Sequence, residues 1–176
     1  KPAGKINGVV IGVVTDIADP EKLGRVKVKY PGMPKAGMGE LGSNWARLAA
    51  PGAGKDRGLF FTPEVNDEVL VAFEQGDVNY PYVVGALWNA KDKPPAGKGQ
   101  VVDAGRKTTN QRIVRSRSGH VIILDDTQGE EKIIIEDKTQ KNSIVIDSKT
   151  KSMTIKAEGD LTFEAGGKVI VKSKQD

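Results

Sequence analysis

The chain has 176 residues, 38% hydrophobic and 5% aromatic, with a formal net charge of +4 and no cysteine. That length holds one domain or two small ones with a modest core, and neither disulfides nor thiolate metal sites can brace it. Its apolar runs fall well short of the roughly 20 residues that span a bilayer, no Sec-type leader opens it, and the basic excess is interspersed with acid (DPEK, KDR, DDTQGEEK), which argues against a nucleic-acid-binding face.

From Ile6 to Asn89 the alternation of apolar and polar residues predicts five strands: NGVVIGVVTDI, GRVKVKYPG, NWARLAAP, DEVLVAFEQGD and PYVVGALWN. Asp-Pro, Pro-Gly and Gly-Asp turns separate them. GRVKVKY sets Arg and Lys against Val, so one face is wet and one buried. Five strands within residues 1–90 predict a small closed all-β barrel of the OB type, because closure removes the exposed edges of short strands. Residues 91–118, opening with KDKPPAGKGQVVDAGRKTTN, read as a linker or strapping segment at a domain boundary.

Residues 119–176 change rhythm. HVIILDD, EKIIIEDK, NSIVIDSK, SMTIKAEG, DLTFEAGG and KVIVKSKQ read as successive short strands. Each carries an apolar pair two residues apart: Val121/Ile123, Ile133/Ile135, Ile144/Ile146, Met153/Ile155, Leu161/Phe163 and Val169/Val171. The spacing tightens through 12, 11 and 9 to 8, which is the mark of a stacked array whose single unit cannot bury its own apolar face. One chain is too short to close such an array. Three copies intertwined about a threefold axis bury the pairs as a common core and leave no lateral edge, so the expectation is a triple-stranded β-helix, or β-prism, formed by a homotrimer. Ile134, Val145 and Ile170 lie off this register and are expected to pack between neighbouring chains.

The run from Trp45 to Asn89 resembles the OB segment of contractile-injection spike proteins: phage baseplate protein V, the valine-glycine repeat (VgrG) proteins of type VI secretion, and the spikes of extracellular injection particles. The residues carrying the likeness are Trp45 and Arg47 on a strand, Gly58 before Phe61 and Pro63, then Asp67-Glu68-Val69, Gly76-Asp77 with Pro81, and Gly85 with Trp88-Asn89. The resemblance implies that GDVNYPYVVGALWN is the last hairpin of a barrel that seats a needle, with Trp88 as a core plug. Asn66 stands where the family commonly has glycine, and tolerates the left-handed conformation such a turn needs. The resemblance further implies a non-enzymatic trimeric spike, assembled in the bacterial cytoplasm as part of a phage tail-like particle, that pierces a target membrane mechanically. Its implied partners are a baseplate hub protein, a small PAAR-like tip protein and tube or effector cargo, with no nucleic acid and no cofactor. No hub domains precede the barrel, so the chain is expected to bind a separate hub or to be cut from something larger.

Other readings of the same residues are weaker. His120, the sole histidine, lacks local partners for catalysis or metal binding, and Asp125-Asp126 with Glu130-Glu131 lack calcium-loop spacing. PGAGKDRG has neither the first glycine of a phosphate loop nor Ser or Thr after Lys55. Glu64 and Glu68 read as surface charges rather than as a hydrolytic pair. No catalytic residue and no metal ligand is therefore expected. The alternative function is an OB-fold module that binds nucleic acid or polysaccharide on a trimeric β-helical stalk.

Overall fold

Valine-rich strands form the first unit, Lys1–Pro94, in the computed structural model, which describes residues 5–34 and 40–174. Its strands are β1 (Val9–Asp16), β2 (Lys27–Pro34), β3 (Glu40–Gly42), β4 (Arg47–Leu48), β5 (Ala53–Gly54), β6 (Arg57–Gly58), β7 (Glu68–Phe73) and β8 (Pro81–Ala86). Six of them make one sheet in the order β3-β2-β1-β7-β8-β4, and β5 pairs with β6 in a separate hairpin. The predicted strands are all present. Strand pairing does not run round into a closed barrel among the described residues, although a bridge between Val26 and Ala46 ties the start of β2 to the chain just before β4.

The sheet curls around a core of Val14, Val26, Val28, Tyr30, Val69, Val71, Phe73 and Val83. Gly12 lets β1 approach closely, since a Cβ there would stand 3.1 Å from Val71 Cγ2. Tyr30 and Phe73 meet edge to face with ring centroids 5.5 Å apart, and burial pushes the Tyr30 phenol up to about 12. Between β1 and β2, the Asp19 carboxylate accepts the backbone N–H groups of Glu21, Leu23 and Arg25 and pairs with the Arg25 guanidinium at 2.7 Å. The bond from Arg25 is the main reason that this carboxyl lies far below its ordinary range.

Asn66 has φ 79°, and its N–H donates to Val14 O at 2.9 Å. Asn66→Val should cost about 1–2 kcal/mol of unfolding free energy, because a β-branched side chain is a steric outlier at positive φ, whereas Asn66→Gly should be neutral or slightly stabilising. Denaturant midpoints of the two variants check this.

The second unit, Pro95–Asp176, begins with a two-stranded hairpin of β9 (Val102–Asp103) and β10 (Thr108–Thr109). A five-stranded antiparallel meander follows: β11 (Gln111–Arg115), β12 (Val121–Asp125), β13 (Lys132–Glu136), β14 (Ser143–Asp147) and β15 (Ser152–Lys156). Strands β12 to β15 stand where the first four strands of the array were predicted. β11 was not foreseen, because QRIVR fell inside the expected linker. Residues 161–174, which hold DLTFEAGG and the described part of KVIVKSKQ, form no strand.

Carboxylates at strand ends organise the turns. Asp125 accepts the Thr127 N–H, Asp147 accepts the Thr150 N–H, and Asp137 is bonded by the Thr139 hydroxyl and by Asn142. Turns on the same end of the sheet are stitched together by Lys149–Glu130 at one end and Lys141–Glu158 at the other.

Candidate functional site

Register fixes which side chains share a face. One face of the meander carries Arg112 and Val114 from β11, Ile122 and Leu124 from β12, Ile133 and Ile135 from β13, Ile144 and Ile146 from β14, and Met153 and Ile155 from β15. Every one except Arg112 is apolar. They form two unbroken rungs, Leu124–Ile133–Ile146–Met153 and Val114–Ile122–Ile135–Ile144–Ile155, and nearly all stay substantially exposed in the single chain. Five strands of five residues present a surface about 19 Å by about 14 Å, and a contiguous apolar patch of that kind often carries function. An open cleft of about 880 Å³ lies along the second rung, bounded on one side by Gly159, Asp160 and Leu161.

The other face is closed. Ile123 is 1% exposed and Ile134 6%, and they cluster with Val121, Ile113 and Val145. Two sequence readings are corrected here. Val121 and Ile123, expected on the inward register with the other pairs, sit on the opposite face; the residues of β12 in register with Ile133/Ile135 are Ile122 and Leu124. Ile134 and Val145, expected to pack between chains, pack instead within their own sheet. Of the remaining expected core residues, Ile133, Ile135, Ile144, Ile146, Met153 and Ile155 share the open face, while Leu161, Phe163, Val169 and Val171 lie beyond β15 and are exposed. Val114, Ile122 and Leu124 were missed. The only signal for them was the apolar doublet of RIVR and the run of four apolar residues at Val121–Leu124.

In the first unit the quoted motif residues hold turns and strand contacts rather than a reaction centre. Lys27 lies over the Trp45 ring at 4.9 Å and Arg47 over the Tyr82 ring at 5.8 Å. Gly58 has φ 145°, and a Cβ there would overlap Gly52 O, so the β5–β6 hairpin requires glycine. Asp67 accepts the Glu64 N–H at 2.8 Å and returns its own N–H to Glu64 O, which shapes the turn after Pro63 and before Glu68 and the fully buried Val69. Gly76 is buried at φ 82°, Asp77 accepts the Asn79 N–H, and Pro81 opens β8. Gly85 lies just past a register shift in β8, Asn89 Oδ1 accepts from Lys91 and Asp92, and Phe61 is exposed. Trp88 is a further correction: it is 68% exposed and plugs no core in the single chain.

The residues weighed as chemical groups are engaged with other protein groups. His120 Nδ1 accepts the Lys138 N–H at 3.3 Å. Of the acidic clusters, Asp125 is bonded by Gln111 and Thr127, Asp126 by Arg112, Glu130 by Lys149, and Glu131 by the Gly129 N–H. No set of three or more His, Asp or Glu side chains converges as a metal site among the described residues, and no described helix is long and apolar enough to cross a membrane.

These features define an all-β protein with one strand unit built on barrel-type turns and another presenting an apolar sheet face. Residues 10–88 match the type VI secretion system/phage-baseplate injector OB domain. The chain is VgrG-like, a relative of contractile-injection spike proteins. It is 34% identical over 98 residues to the type VI secretion system spike protein VgrG2a of Pseudomonas aeruginosa, a match covering 53% of this chain and 12% of that protein. It is 27% identical over 131 residues to VgrG1a of the same organism, covering 74% of this chain and 20% of the relative. Against the spike protein VgrG3 of Vibrio cholerae it is 28% identical over 131 residues, covering 74% and 13%. The chain thus spans about a fifth or less of the curated relatives it matches.

Proposed function

We propose that this chain is the protomer of a homotrimeric, non-enzymatic spike, with the OB unit as collar and the strand array as the needle of a contractile injection particle. The observation that carries this reading is the open face of the meander, apolar along two full rungs, in a chain whose first unit is an injector OB domain. Two copies face to face would cover those rungs but leave the outer edges of β11 and β15, and residues 161–171, without partners. Three sheets arranged as the sides of a prism turn every open face to the axis and set each edge against a neighbour, so both the apolar face and the strand edges are satisfied. Leu161, Phe163, Val169 and Val171 then extend the axial core beyond the meander as a tapering β-helix.

The particle's contraction supplies force and the spike supplies stiffness. A needle of interlocked chains yields only if three chains separate, so it resists unfolding kinetically. The collar seats on a baseplate hub protein, the blunt end takes a small PAAR-like tip or cargo, and the target membrane is pierced mechanically after assembly in the bacterial cytoplasm. Light scattering of the intact protein should give three times 18.9 kDa, and the band should survive SDS without boiling. A monomer or a dimer overturns the proposal.

A further inference from the structure

Both faces of the β11–β15 sheet are rich in aliphatic side chains, yet only one is open. What closes the other is the chain just ahead of it. Lys98 N–H donates to Gln111 Oε1 at 3.1 Å and Gln111 Nε2 donates back to Lys98 O at 2.8 Å, a reciprocal pair that imitates one rung of a strand ladder. Gln111 is 3% exposed, and its amide also bonds Asp125 Oδ2 at 2.7 Å. The Lys98 ammonium then pairs with Glu136, itself 7% exposed.

Gln111 shares its rung with Asp125 and Lys132, whereas Glu136 shares the rung at the far end of the strands with Val121. To reach from one to the other, the alkyl stem of Lys98 crosses the middle rung, where Ile123 and Ile134 are buried. The segment is fastened on both sides of this crossing. Val101 O accepts the N–H groups of Asn110 and Gln111, and Gly97 lies so close that a Cβ would overlap Gln111 Oε1 and stand 2.8 Å from Val101 Cγ2 and 3.0 Å from Ile113 Cδ1.

We propose that Pro95–Val101 is a strap that seals this face and thereby makes assembly of the needle one-sided. The inference rests on the trimeric reading above and adds what limits it. A sheet with two open apolar faces stacks without end, while a sheet with one can close about an axis. Without the strap, Ile113, Ile123, Ile134 and Val145 would be available to further copies, and Glu136 would lose its cation.

The test uses the full chain with Gly97→Val, which forces the strap off its seat, and Gln111→Leu, which keeps the bulk at that position while removing the bonds to Lys98. Tryptic cleavage after Lys98 should speed up by about tenfold or more in both, the scale expected from losing two or three hydrogen bonds. Light scattering should show assemblies larger than those of the unsubstituted protein. Gln111→Leu keeps the question answerable if Gly97→Val fails to fold. Unchanged cleavage at Lys98 in the folded variants overturns the strap, and so does faster cleavage with no growth in assembly mass. A monomeric unsubstituted protein would overturn the spike reading alone, because strap release is still read by cleavage and association of the variants.

Discussion

Ile144→Asp is expected to yield a folded monomer in place of the trimer proposed for the unsubstituted chain. Ile144 stands on the open face between Ile135 and Ile155, in the fourth strand of the meander, and takes no part in the closed cluster of Val121, Ile123 and Ile134. A carboxylate there stays hydrated in a single chain and disturbs little. About a threefold axis it places three charges in one layer of an apolar core, at a cost of several kcal/mol per unpaired charge, which exceeds what one layer of aliphatic contacts returns. Ile123→Asp provides the contrast. Ile123 is buried within its own sheet, so this substitution should unfold the second unit whether or not chains associate. Light scattering reads assembly and circular dichroism reads the fold. A trimer that persists in Ile144→Asp would remove the open face from the assembly.

The two units differed in how far their sequence could be read. In the first, turn chemistry marks each strand boundary: Gly76-Asp77 turns before Pro81 opens β8, and Asn66 takes the left-handed conformation its place requires. Val alternates with Arg and Lys in GRVKVKY, so the buried face is explicit there, whereas in β7 Leu70 faces away from the buried Val69, Val71 and Phe73. In the second unit the existence of strands was legible but their frame was not. HVIILDD and EKIIIEDK carry three or four consecutive apolar residues, so a period of two fits either face equally well. What selects the face lies outside those strands. Gln111, Asp125 and Glu136 can be buried because Lys98 and Thr127 satisfy them, and Lys98 belongs to a segment whose glycines and prolines read as a linker. Trp88 was misread for a related reason: the family motif identifies the residue, while its burial depends on surroundings that a single chain does not supply.

The apparent melting temperature is expected to stay level from about pH 7 to about pH 5 and then to fall steeply below about pH 4, through carboxylates that hold turns. Five of these lie below their ordinary range. Asp19 is held there first by the Arg25 side chain, Glu131 by the Gly129 N–H and Asp147 by the Thr150 N–H. At Asp125 and Asp137 burial acts to raise the value, but the bonds from Thr127 and Gln111 in one case, and from Thr139 and Asn142 in the other, outweigh it and bring Asp137 to about 2. A depressed folded value means that the unfolded chain takes up protons first. The stabilisation is therefore complete above the unfolded carboxylate range near pH 4, and it drains away as pH falls through the folded values towards about 2. Asp137→Asn should lower the plateau and flatten the acid slope, because an amide oxygen accepts more weakly than the carboxylate and does not titrate. Melts followed by circular dichroism across this range check both effects. A fall between pH 7 and pH 5, above the range in which these five carboxylates take up protons, would remove them as the explanation.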